Sequence, residues 1–386
     1  MKILVLSNCP LDPMLGSGKT RLMWSNGLRE HGHTVDVLEP KDFELWYPKV
    51  KGRKFRQAFG AFRVVRKRLE EQSYDMIEYF GDEFWLIANT LRRRLERPML
   101  VAHTDGIELL SLERERSVSA TTTYEGMHRV FSRFTHDRFS WIAFKSAEAF
   151  VTGCDVDIDF VKRKQLYPEE WTAVIEPCLD DDYLGRSFIS ERKERIAFTG
   201  SWIDRKNIKL IVDVISRILR KRPNLSFHVY GAGSTRERVL KDFDAALHKQ
   251  IVLYGRLTNE ELTQSLSESK VYFFPSTYEG FGLALAEAMA SGCAAVTTPT
   301  GYGGSLRNGV DAIVCPFNDG AAMEPAIERL LDDDAFRLNI ARAGHARIQG
   351  LRWKEHVKAL SDTYTRWHAK WVKTRQVSRI AVGTPA

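Results

Sequence analysis

The stretch from Pro275 to Val296, PSTYEGFGLALAEAMASGCAAV, limits what this chain can fold into more than any other. The four residues before it, Val271-Tyr272-Phe273-Phe274, are a short apolar run that predicts a buried strand. Pro275, Ser276, Gly280 and Gly282 supply loop composition and backbone freedom. Leu283 to Ser291 is rich in Ala, Leu, Met and Glu, strong helix formers. Gly292 is placed to stop that helix in the left-handed conformation, and Ala294 to Thr297 predicts the next strand. Strand, glycine turn, helix and strand make a βαβ unit, which builds a parallel α/β sheet. A helix opening just after a glycine turn presents free backbone N–H groups and a positive dipole end, which suits a phosphate. Glu279 sits in the turn, and Glu287 lies in the early helix with its side chain tilted back toward the start. Such carboxylates can accept hydrogen bonds from sugar and ribose hydroxyls. Spacing alone equally permits an ordinary crossover with both glutamates solvated.

The rest of the chain repeats this rhythm. Lys2 to Ser7 predicts the first strand, Asn8 to Gly18 a loop, Thr20 to His31 a helix and Val35 to Leu38 the second strand. GSGKT, Gly16 to Thr20, has the letters of a P-loop ending, but the first glycine of that motif would fall on Pro13, which disfavours an NTPase. Tyr74 to Tyr79 and Met99 to Ala102 predict further strands, the latter ending at His103-Thr104-Asp105-Gly106. Polar residues at the C-terminal end of a strand are where open α/β sheets bind ligands, although a lone histidine there can equally be a packing residue. Glu125 to Ala149 predicts a long helical stretch with Phe131, Phe134, Phe139, Trp141 and Phe144 turned to the core. Asp180 to Lys193 is polar without an apolar period, which predicts a domain boundary. Thr258-Asn259-Glu260-Glu261 predicts a capping box. From Thr374 onward no period is visible, and a structureless tail is expected.

Composition narrows the setting. No run of 18 apolar residues exists, so no transmembrane helix is expected. MKILVLS is too short for a signal-peptide core. The five cysteines include no CxxC pair, which argues against zinc and disulfides and favours a reducing, cytoplasmic setting. Between Leu45 and Leu69 there is no acidic residue, while Lys49, Lys51, Arg53, Lys54, Arg56, Arg63, Arg66, Lys67 and Arg68 are basic. Phe55, Phe59, Phe62 and Val65 interleave at helical spacing, which predicts core aromatics beneath a solvated basic face. The competing reading is an interfacial helix, through residues 49–68, on anionic lipid at the inner face of a membrane or on an acidic acceptor. No nucleic-acid motif accompanies the stretch, so nucleic acid is not expected as a partner.

TYEGFGLALAEAMASGCAAVTTPTGYGG resembles the signature of retaining glycosyltransferases of family 4, which have the GT-B fold. The resemblance is strong over residues 195–320 and loose over 1–180. It implies an α/β chain of two doubly wound Rossmann-like domains facing a cleft. Residues 1–182 would form the acceptor domain and 183–355 the nucleotide-sugar domain. Residues 356–373 would form a helix crossing back, and 374–386 a flexible tail. The resemblance places Gly16 and Gly18 in the glycine loop beside donor sugar and acceptor. The family histidine that faces the donor sugar has no direct counterpart; either His103 or Asp105 would take its role. Pro177-Cys178-Leu179-Asp180 resembles the family's Pro-Gly-Val-Asp at the domain end. In Gly200-Ser201-Trp202-Ile203-Asp204-Arg205-Lys206, Lys206 matches the lysine that neutralises the diphosphate. Ser201 stands where an arginine usually stands, and Arg205 could supply that charge. Gly231 belongs to the next strand–turn unit, and Gly255, Arg256 and Leu257 would lie against the base. Gly280, Phe281, Gly282 and Leu283 would cradle the phosphates, Glu279 would hold sugar hydroxyls, and Glu287 the ribose. In the glycine turn that follows, Arg307 stands near where a glutamate is common.

The activity implied is retaining hexosyl transfer from a nucleotide-diphosphate sugar to a hydroxyl acceptor: a glycan, a lipid or a small molecule. No cofactor, metal or side-chain nucleophile is expected; the leaving phosphate would assist attack from the same face. Two rivals stay open. One is a catalytically weakened nucleotide-sugar binder, suggested by Ser201. The other is a nucleotide-sugar epimerase, which would need further acid/base residues in the cleft.

Overall fold

The strand segments are short apolar runs, the inner ones buried on both faces, the pattern of parallel sheets covered by helices. A computed structural model of the chain describes residues 1–12, 16–44, 52–118 and 137–381. The first sheet holds β1 (Lys2–Ser7), β2 (Thr34–Leu38), β3 (Met76–Phe80), β4 (Met99–Thr104), β5 (Ala149–Thr152) and β6 (Thr172–Val174). Their spatial order is β2-β1-β3-β4-β5-β6, every pair parallel. The second holds β7 (Lys193–Thr199), β8 (Ser226–Tyr230), β9 (Ile251–Tyr254), β10 (Ser269–Phe274), β11 (Ala294–Thr297) and β12 (Ile313–Val314). Its order is β12-β11-β10-β7-β8-β9, again all parallel. Residues 175–192, between the sheets, carry neither helix nor strand.

Strand order decides where ligands can sit. In each sheet the chain winds outward in one direction, then returns to the first strand's other side. The crossover helices therefore diverge between β1 and β3, and between β7 and β10. These are the topological switch points, where a crevice opens at the carboxyl ends of the strands.

The Trp353–Ala381 helix packs on the first sheet, far from its neighbours in sequence. Val357, Leu360, Tyr364 and Trp367 share a buried cluster with Ile3, Val5, Trp24, Leu28 and Met76. Gly27 makes this approach possible, since a Cβ there would lie 2.5 Å from Cγ1 of Val357. Among the described residues no helix is long and apolar enough to cross a membrane.

Several expectations are corrected. Gly16 to Gly18 open the Gly16–Glu30 helix, with Thr20 Oγ1 donating to Gly16 O at 2.8 Å, and are not loop. β4 runs on through His103 and Thr104, because His103 pairs with Phe80 of β3 and Val151 of β5. Phe139 and Trp141, on the Arg138–Ser146 helix, are half-buried, not core; Phe131 and Phe134 lie outside the described residues. The helix expected to stop near Thr374 continues through Ala381. Extending an anchored helix costs little once its nucleus is held by packing.

The largest reversal is the Arg53–Glu71 helix. Phe55 and Phe59 are 39% and 53% exposed, whereas Gln57, Ala58, Gly60, Ala61 and Val65 are buried. Close approach selected this face. A Cβ on Gly60 would lie 1.7 Å from Phe43 O, so only the small-residue side fits against the Pro40–Phe43 turn of helix. Arg56 goes in with that side because Glu44 Oε1 accepts from its Nη2 at 2.7 Å. Lys49 and Lys51 lie outside the described residues.

Candidate active site

The crevice of the second sheet is built by the segments after β7 and β10. After β7, Asp204–Lys206 make a single 3-10 turn, ended by Asn207 at φ +62. Asn tolerates this left-handed conformation better than most residues. The turn sends the Lys206 side chain inward, beneath Gly200, where a Cβ would meet its Cε at 3.1 Å. Lys206 Nζ lies 4.3 Å from the centre of the Phe274 ring and donates to Glu279 Oε1 at 2.6 Å. Burial lowers the Lys206 pKa, and the Glu279 carboxylate opposes that shift. The Glu279 backbone N–H donates to Thr300 Oγ1 at 2.9 Å, which fixes the turn. Arg205 Nη1 stands 3.8 Å from Glu279 Oε2. Gly282, at φ +94, caps the Leu283–Ala290 helix, whose opening N–H groups border the same crevice.

The first sheet closes over this turn. A Cβ on Gly280 would lie 1.3 Å from Asp105 O, and one on Gly106, at φ +147, would lie 2.9 Å from Gly280 Cα. Asp105 is therefore beside the Glu279 turn. Its Oδ2 accepts from Arg21 Nη2 at 2.8 Å, and Arg21 also lies over the Phe80 ring. At the β1/β3 switch point, Asn8 Nδ2 donates to Glu83 Oε2 at 2.8 Å. Burial raises the Glu83 pKa, with neighbouring Asp82 pushing the same way. This wall offers acceptors and donors suited to a polyhydroxyl group.

Between the halves lies a cavity of about 220 Å³. Gly231, Gly255, Arg256, Leu257, Leu283 and Glu287 line it from the second half, and Gly16 and Lys19 from the first. Glu287 is reachable from the cavity yet ringed by protein. Burial pushes its carboxyl up to about 7, and Lys19 and then Lys206 pull it back. Lys19 is ion-paired with Asp180 of the connecting segment.

Sequence reading missed Lys19, Asp180, Tyr183 and Tyr230, all of which line the cavity. The signal for Lys19 was in hand: a cation in the glycine segment, set aside together with the P-loop. Other expected residues are placed elsewhere. His103 is buried in the first sheet, stacked on Phe80 at 4.4 Å, with Nδ1 2.6 Å from Glu78 Oε1. The extra strand residues carry it into the core, and Asp105 alone reaches the cleft. Gly18 is a packing glycine, since a Cβ there would lie 2.4 Å from Pro10 O. Phe281 is buried against Tyr302 at 5.1 Å. Ser201 is exposed beside the Gly231–Gly233 turn.

The raised carboxyl of Glu287 gives a pH signature. A carboxyl whose folded pKa exceeds its unfolded value stabilises the fold fully below the unfolded value. That contribution is lost as pH rises through the folded pKa. For Glu287 the window runs from the ordinary carboxyl value of 4.5 to about 7. Glu287→Gln should therefore melt above the wild type at pH 8, with the gap closing as pH falls toward the bottom of that window. Thermal scans across this range check it; a gap independent of pH would refute the assignment.

Residues 193–333 match the family model described as Glycosyl transferases group 1. Glycogen synthase of Mycobacterium tuberculosis is 27% identical over 165 residues, covering 41% of this chain and 39% of that relative. The match thus spans well under half of the relative's length. Among solved structures, sucrose-phosphate synthase from Thermosynechococcus elongatus superposes with a TM-score of 0.76 at 16% identity, covering 96% of this chain and 100% of the other. HepE of Anabaena, solved in complex with UDP, gives 0.67 at 14% identity over 95% and 100%.

Proposed function

From a glycosyl transferases group 1 domain within a two-domain GT-B fold, we propose that this chain is a glycosyltransferase. It moves a hexosyl unit from a nucleotide-diphosphate sugar to a hydroxyl acceptor, with retention at the anomeric carbon. The observation that carries the reading is the Lys206–Glu279 pair at 2.6 Å, set at the second sheet's switch point and covered by the Asp105–Gly106 backbone. A buried ammonium whose charge is met by one carboxylate above a ring face is poised to exchange that carboxylate for a phosphate.

In this reading the nucleoside occupies the cavity against Gly255, Arg256 and Leu257, with its ribose hydroxyls on Glu287. The diphosphate lies at the Leu283–Ala290 helix opening, where Lys206 meets the charge that builds as the bond to the anomeric carbon breaks. Lys19 and Arg205 add positive charge from either side, in place of a cation at Ser201. Glu279, released from Lys206, takes sugar hydroxyls. The acceptor oxygen bonds the anomeric carbon on the face that the diphosphate leaves, and its proton passes to the departing phosphate oxygen. All the charge is met by protein groups, so turnover should survive EDTA.

The test is calorimetry and thermal shift with UDP, GDP, ADP and their common sugars, with and without magnesium. One nucleotide class is expected to stabilise the protein in EDTA as well as in magnesium. No response to any of them overturns the reading. Binding without donor hydrolysis or transfer would favour the weakened binder suggested by Ser201, and conversion of the free donor without acceptor would favour an epimerase.

A further inference from the structure

We propose that the face formed by the Arg53–Glu71, Trp85–Arg92 and Arg138–Ser146 helices docks this protein on an anionic lipid bilayer. This names the surface that presents the acceptor, and to that extent it rests on the transferase reading. The Arg53–Glu71 helix hides its small residues and turns aromatic rings outward. Of the six large apolar side chains exposed among the described residues, only Phe55 and Phe59 lie one turn apart on one helix face. Phe55 meets Phe139 edge-on at 5.5 Å, and Phe139 stacks on Trp85 at 4.3 Å. The aromatic strip thus crosses all three helices. On the third helix a further ring, Trp141, has Lys145 Nζ 5.4 Å from its centre.

Cations rim the strip. Arg63, Arg66 and Lys67 are exposed on the first helix, and Arg138 and Lys145 on the third. Glu70 and Glu71 approach Arg66 and Lys67 only at 3.9 and 3.7 Å. Exposed pairs of that kind hold weakly and are screened by salt. Rings at the centre and cations at the edge are what an interfacial surface needs: the rings enter the boundary between headgroups and acyl chains, and the cations meet lipid phosphates. A second copy of the chain would bring like charges together. Here the rings pack on one another, whereas a base-stacking platform spaces them singly along a basic groove.

The position of the face supports the same partner. The helix that exposes Phe55 begins at the first sheet's crevice. There Arg53 Nη2 and Gln57 Nε2 donate to Asn8 O, and Lys54 Nζ lies 3.1 Å from Asp82 Oδ2. A bilayer touching Phe55 and Phe59 therefore lies beside the wall formed by Asn8 and Glu83, and an acceptor anchored in it needs only a short reach.

The experiment is co-sedimentation of the full chain with phosphatidylcholine vesicles, alone or containing about one-third phosphatidylglycerol to give a negative surface potential. Binding is expected on the anionic vesicles only, weakening with salt. Arg63→Gln/Arg66→Gln/Lys67→Gln should lower it on the order of a hundredfold, from about fivefold per cation. Phe55→Ser/Phe59→Ser should lower it at least roughly tenfold, by losing buried apolar area. Both variants should melt and bind nucleotide like the wild type, since none of these side chains lines the cavity. Wild-type protein that ignores anionic vesicles overturns the proposal. So do variants that bind as the wild type does, or a single-stranded oligonucleotide bound as tightly as the vesicles. Vesicle binding is read without nucleotide and nucleotide binding without vesicles, so either reading can fail alone.

Discussion

Lys206→Ala is expected to lower kcat/KM for donor turnover by about a hundred- to a thousandfold. That is the cost, ~3–4 kcal/mol, of removing one donor aimed at charge that develops in a transition state. The variant should also melt lower, for a separate reason. Glu279 is buried, and without Lys206 its nearest cation is Arg205, at 3.8 Å. Breaking a buried pair by deleting one partner strands the other charge, whereas removing both charges need not. The double variant Lys206→Met/Glu279→Gln separates the two effects. It should regain thermal stability and stay inactive. Steady-state kinetics and melting curves on the three proteins check this, and near-wild-type turnover by Lys206→Ala would remove the residue from the proposed chemistry.

Gly280→Ala is expected to reduce turnover by about a hundredfold while leaving the second half able to take nucleotide. The added methyl would lie 1.3 Å from Asp105 O and 2.3 Å from its carbonyl carbon. Both atoms are backbone, so no rotamer change relieves the overlap, and the two halves must move apart. A misplacement of ~1 Å in an assembled site can cost about a hundredfold in rate. Nucleotide affinity, which in the proposed reading draws chiefly on Gly231, Gly255, Arg256, Leu257 and Glu287, should fall far less. Calorimetry beside kinetics gives both numbers. Equal losses in affinity and rate, or no loss in either, would show that the Gly280–Asp105 contact does not couple the halves.

The sheets were legible because their signals are local. Apolar runs of strand length alternate with helical segments, glycines stop the helices, and a winding right-handed chain leaves few topologies. The Thr258–Glu261 capping box closes as its spacing predicts, with Glu261 N donating to Thr258 Oγ1 at 3.2 Å and Thr258 N to Glu261 Oε2 at 2.8 Å. The placement of candidate site residues was legible where one turn-and-helix unit carries them, as with Glu279 and Glu287. What distant segments decide was not legible. His103 looked like a cleft residue until β4 gained two residues and Glu78 supplied its partner. The Arg53–Glu71 helix shows burial of aromatics losing to close packing, because a carbonyl at Phe43 leaves room for Gly60 and nothing larger. Lys19 faces Glu287 across the cleft, and no pattern within either segment announces that meeting.

The returning helix sets a schedule for synthesis. The first sheet's last strand ends at Val174, but part of its covering layer, Val357 to Trp367, is encoded nearly two hundred residues later. At translation rates of about 5–20 residues per second, the face carrying Ile3, Val5 and Met76 waits roughly 10–40 s for that cover. The second sheet's strands all leave the ribosome within that interval. The half made first is therefore completed last, and a ribosome stalled between the two halves leaves an open apolar sheet face for chaperones to guard.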